Sequence, residues 1–93
     1  MVVLIVERVR RGLRGELSRW MIEPKTGVFV GTLSALVRDK LWEKVTRETV
    51  EGGAVILFSA ANEQGFAIRT CGETQREVID CEGLLLVRMP SEP

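Results

Sequence analysis

The chain has 93 residues, 45% of them hydrophobic, with 13 basic and 13 acidic side chains and a net charge of zero. That length suits one domain (residues 1–93) with a modest core, and the composition excludes a disordered chain. No apolar run approaches the ~20 residues of a membrane-spanning helix, and the start lacks a basic leader with a cleavage site, so a cytoplasmic protein with no membrane contact is expected.

Taken in chain order, Val2-Val3-Leu4-Ile5-Val6 is a short β-branched and aliphatic run, expected to form a strand buried on both faces. Leu13, Leu17, Trp20 and Met21 then share one face of a helix from about Arg10 to Ile22, with Trp20 expected in the core. Pro24 ends that helix, Lys25-Thr26-Gly27 turns the chain, and Val28-Phe29-Val30 is a strand. A second helix runs from a Ser34 N-cap to about Val50, with Leu33, Val37, Leu41 and Val45 as its buried stripe and Gly52-Gly53 as its stop. Trp42 falls off that stripe, against a flanking loop or at an interface.

Gly53 to Phe58 repeats the character of the first strand, and Asn62-Glu63-Gln64-Gly65 is a hairpin turn into an alternating strand, Phe66 to Thr70. Two more strands follow, near Val78–Cys81 and Leu84–Arg88. The order implies an α+β fold: a ferredoxin-like split βαβ domain, two helices on one face of a mainly antiparallel sheet, with extra C-terminal strands. The usual order places two strands between the helices, and only one is legible here.

The chain has no histidine and no tyrosine, so any chemistry must run on carboxylates, arginines, lysines, hydroxyls or a metal. Cys71 and Cys81 lack metal-ligand spacing and are expected to be reduced thiols rather than a redox pair. Charge is unevenly spread. Residues 1–25 hold Arg8, Arg10, Arg11, Arg14, Arg19 and Lys25 against Glu7, Glu16 and Glu23. Residues 63–93 hold Arg69, Arg76 and Arg88 against Glu63, Glu73, Glu77, Asp80, Glu82 and Glu92. A basic end can meet phosphate while an acidic end meets a basic protein.

Arg10, Arg11 and Arg14 open the first helix, against the macrodipole's preference for acids there. Placing a cluster against that preference suggests a ligand such as phosphate, which arginine forks and helix-terminal amides both grip. Gly12 and Gly15 cost helix stability and would allow another backbone to approach, or else the first turn is irregular. Glu7, where the first strand ends, has two readings. It is a solvated glutamate paired with Arg8 or Arg10, or it is one half of a Mg²⁺ site shared across a dimer axis.

Several segments together resemble one family: Val6-Glu7 ending the first strand, Arg11-Gly12-Leu13-Arg14-Gly15-Glu16-Leu17 leading to Trp20, and Gly27-Val28-Phe29-Val30-Gly31. Leu41-Trp42-Glu43, Asn62 to Gly65-Phe66, and Asp80-Cys81-Glu82-Gly83-Leu84 continue the likeness. The ordered set, over about Val2 to Pro90, resembles the small CRISPR-associated adaptation proteins, the "Cas two" family, in their type I-E branch. The resemblance implies ferredoxin-like homodimers that bridge two CRISPR integrase dimers while new DNA fragments are inserted into the array. The small protein is then a non-catalytic scaffold holding duplex DNA by its phosphates.

By position the resemblance implies DNA contact for Arg14 and Arg76, integrase contact for Glu63 and Glu82, and a metal-ligand role for Glu7. Gly12 and Gln75 stand where basic residues are expected, and Arg10, Arg11 or Arg38 are the candidates to compensate. The C-terminal strands of this branch extend onto neighbouring subunits. With no recognition helix, duplex binding should be indifferent to sequence and steeply salt-dependent. The alternatives are a Mg²⁺-dependent endonuclease on RNA or DNA using Glu7 from both subunits, and a small-molecule sensor, which the absence of a Gly-rich ligand loop disfavours.

Overall fold

The computed structural model describes residues 1–49 and 52–72 in full, and residues 77–81 and 84–88 as backbone strands. The elements are β1 (Val2–Val6), α1 (Arg11–Ser18), β2 (Ile22–Lys25), β3 (Val28–Gly31), α2 (Ala35–Glu48), β4 (Gly53–Ser59), β5 (Phe66–Gly72), β6 (Glu77–Cys81) and β7 (Leu84–Arg88). The first five strands form one sheet in the order β2-β3-β1-β4-β5, antiparallel at every pairing, and β6 pairs with β7 as a separate hairpin. This is the expected α+β architecture, ferredoxin-like with extra C-terminal strands.

The strand missing from the sequence reading is β2. It occupies residues assigned there to the end of the first helix and its stop, because α1 closes four residues earlier, at Ser18. The amides of Arg19, Trp20 and Met21 satisfy the last carbonyls of α1, on Glu16 and Leu17. Ile22 prefers extended backbone, and Pro24 biases Glu23 the same way. A proline is tolerated because β2 lies at the sheet edge, where one side needs no donor.

The shortened helix also moves Trp20. Leu13, Leu17 and Met21 are buried as expected, but Trp20 is 50% exposed because the helical turn that would have carried it inward does not form. α2 follows its expectation more closely. Ser34 Oγ accepts the Val37 amide at 3.2 Å as an N-cap, and Leu41 and Val45 are buried. Trp42 is half-buried and packs against the core. The helix ends at Glu48, where Thr49 returns its amide to the Val45 carbonyl.

One side of the sheet is the core. Val2, Leu4, Val6, Phe29, Ala54, Ile56 and Phe58 pack against Leu13 and Leu17 of α1 and Leu41 and Val45 of α2. Strand alternation sends Val3, Ile5, Val28, Val30, Val55 and Leu57 to the other side, in register across β3, β1 and β4. Within one chain β1 is therefore not buried on both faces: Ile5 is 39% exposed and Val3 half-buried, since both helices lie on the same side. Among the described residues no helix is long and apolar enough to cross a membrane.

Candidate nucleic-acid interface

β1 ends between two turns. The Val6 amide donates to the Gly27 carbonyl at 2.8 Å, in the turn from β2 to β3, and the Glu7 amide donates to the Gly53 carbonyl at 3.0 Å, at the start of β4. Glu7 then folds its own carboxylate onto that second turn, where Oε2 accepts the Gly53 amide at 3.2 Å. From this point the chain runs through exposed Arg8 and Arg10 into α1, whose first residue, Arg11, is exposed too.

Arg10 is the N-cap residue of α1 but makes no side-chain cap, and no acid occupies the first turn. The helix is regular from Arg11 onward, so the glycines do not mark an irregular start. A Cβ built on Gly12 or Gly15 would meet nothing within 4 Å among the described residues, whose packing therefore does not require either glycine. Lys25, exposed on the β2 side of the turn that receives Val6, adds a cation at this end.

Arg14 stands one turn into α1 and reaches Glu23 of β2. Its Nε lies 3.2 Å from Oε1 and 3.3 Å from Oε2 of that carboxylate. Glu23 Oε2 also accepts the Gly27 amide at 2.9 Å, which ties helix, edge strand and turn together through one side chain. Gly27 has φ 80°, and a Cβ there would sit 2.5 Å from the Val6 carbonyl oxygen, so only glycine fits the turn.

Arg38 lies elsewhere. Phe58, opposite Val2 in the register, is at the far end of the sheet from the close of β1, and the Arg38 guanidinium stacks 3.8 Å from its ring centre. Asp39 Oδ1 accepts from Arg38 Nε at 3.0 Å and from Arg69 Nη1 at 3.2 Å, and Arg69 also lies over Phe58 at 5.0 Å. The Arg38 hydrogen bond is the largest cause holding the Asp39 carboxyl below its usual range; burial opposes it, and the charges of Arg38 and Arg69 reinforce it. With 16% of its side chain exposed, Arg38 clamps α2 to β4 while Asp39 ties α2 to β5, and the fold does not bring Arg38 to the α1 arginines.

Residues 1–86 match the family described as CRISPR-associated protein (Cas_Cas2CT1978), a span that runs from β1 into β7. The chain belongs to the Cas2 family of CRISPR-associated proteins. For a Cas2 chain the placement of the acidic residues matters as much as that of the cations. Glu7 already accepts a backbone amide, and among the described residues no three Asp, Glu or Cys side chains are grouped to hold a metal ion. Among the described residues Glu7 is thus the one carboxylate at the close of β1, and a Mg²⁺ ion there would draw its remaining oxygen ligands from water, phosphate or a further carboxylate.

Glu63 is exposed at the tip of the β4–β5 turn, whose shape comes from Asn62: its Oδ1 accepts the Gly65 amide at 2.7 Å. Arg76 and Glu82 lie outside the described residues. The sequence reading brought Arg10, Arg11 and Arg14 together, and so does this Cas2 fold. It gave no role to Glu23 or to the position of Lys25, since both depend on an edge strand that a Glu-Pro-Lys segment does not advertise.

Proposed function

We propose that this chain is a type I-E Cas2 protein acting as a homodimeric, non-catalytic scaffold in spacer acquisition, holding duplex DNA through its phosphates while a CRISPR integrase performs the joining chemistry. The observation that carries the reading is the basic end of the subunit. Arg10 at the N-cap of α1 and Arg11 and Arg14 within it are set against the helix dipole, with no acid in the first helical turn, and Lys25 at the end of β2 adds a further cation. Family membership supports it, and so does the open apolar face of the sheet, on which Val3, Ile5, Val28, Val30, Val55 and Leu57 suit a second copy across a two-fold axis. Glu63 and Glu82 are the proposed contacts to the integrase, and Arg76 a further phosphate contact. The alternative reading, cleavage by a Mg²⁺-dependent endonuclease, would use Glu7 from both subunits of the dimer.

Light scattering on the protein alone, with integrase, and with integrase plus a short duplex tests the assembly; a dimer that joins both partners is the expected result. Arg14→Ala should weaken duplex binding alike for unrelated sequences and lower the salt slope by about one. A monomer that ignores both partners, or full duplex affinity for Arg14→Ala at low salt, would overturn the scaffold reading.

A further inference from the structure

Arg14 uses only one edge of its guanidinium within the fold. Nε donates to the Glu23 carboxylate, the hydrogen bonds of Arg14's side chain among the described residues run through Nε, and 42% of the side chain stays exposed. A guanidinium has five N–H donors in a planar fork, so four remain on the terminal nitrogens, in the arrangement that grips a phosphate through two parallel hydrogen bonds. The carboxylate doing the holding is itself fixed. Glu23 is 19% exposed at its side chain, accepts the Gly27 amide at 2.9 Å, and Gly27 accepts the Val6 amide from the central strand at 2.8 Å.

We propose that Glu23 is a positioning residue for duplex binding: it pins Arg14 at Nε, so that the terminal fork is presented to phosphate with its rotamers already restricted. The inference rests on the duplex-binding reading of Arg14 and adds to it a residue of the wrong charge. A carboxylate next to a phosphate contact should oppose binding by simple electrostatics, and removing it should tighten binding. Pinning predicts the reverse, because an unrestrained arginine must lose its rotamer freedom when it binds.

The test is fluorescence anisotropy of the full chain with a short duplex of arbitrary sequence, across a salt series. Glu23→Gln keeps a carbonyl oxygen for the Gly27 amide and removes the charge that holds Nε. It is expected to weaken binding roughly threefold to tenfold with the salt slope nearly unchanged, because the freed arginine still reaches its phosphate but loses rotamer freedom in doing so, whereas Arg14→Ala lowers the slope by about one. Combined with Arg14→Ala it should add nothing further. In the Arg14→Lys background, which keeps the charge without an Nε to pin, Glu23→Gln should no longer weaken binding and should tighten it slightly. Parent-like or tighter binding by Glu23→Gln, with Arg14→Ala clearly weaker, would overturn the positioning role while leaving the duplex reading intact. Full affinity for Arg14→Ala would remove the duplex reading itself, and this inference with it.

Discussion

Gly27 and Asp39 show how single residues hold this subunit in shape. Gly27 combines a left-handed backbone with a Cβ position 2.5 Å from a carbonyl oxygen that it cannot avoid, because that oxygen belongs to Val6 of the central strand. Gly27→Ala should therefore lower stability by about 2 kcal/mol or more, read by chemical denaturation. Asp39 makes a different kind of prediction. Its carboxyl is held below its ordinary value of 3.8, chiefly by the Arg38 hydrogen bond. A folded-state value below the unfolded one means that its contribution is complete above pH 3.8 and is lost as pH falls through the lower, folded value. The melting temperature of the parent should thus fall more steeply below pH 3.8 than that of Asp39→Asn. Sequence could not show this clamp, because Arg38, Asp39, Phe58 and Arg69 meet only through the packing of α2 on the paired β4 and β5, and Arg38 viewed alone is one more surface arginine.

At the scale of elements, legibility followed the strength of the local signal. β1, β3, β4 and β5 announce themselves by apolar runs or alternation, and α2 by its stripe and its cap. Ser34→Ala should cost about 1 kcal/mol in thermal unfolding, since it removes the one side-chain acceptor at the start of α2. β2 was not legible. Its four residues are Ile22, Glu23, Pro24 and Lys25, and what makes them a strand is pairing with β3, with a register shift between Ile22 and Lys25. Missing β2 lengthened the first helix, and lengthening it placed Trp20 in the core. The basic face of α1 was legible because it depends only on helical spacing; the Arg14–Glu23 contact was not, because it depends on β2.

For the whole molecule, the main fact is an asymmetric sheet: helices cover one side, and valines, Ile5 and Leu57 line the other. Ile5 sits near the middle of that face, between Val28 of β3 and Val55 of β4. Ile5→Glu should convert the proposed dimer to a monomer in light scattering while leaving the helix-side core folded, as judged by circular dichroism, because a charge buried there without a partner cannot be matched across the two-fold axis. A dimer of unchanged mass would place the interface on another surface.

Pairing of two copies through this sheet face, as proposed, would also have a genetic consequence. Well below its dissociation constant, a homodimer accumulates as the square of the protomer concentration, so halving expression cuts the working pool about fourfold. In the proposed scaffold role, the supply of working dimer would therefore fall more steeply than expression of the gene itself.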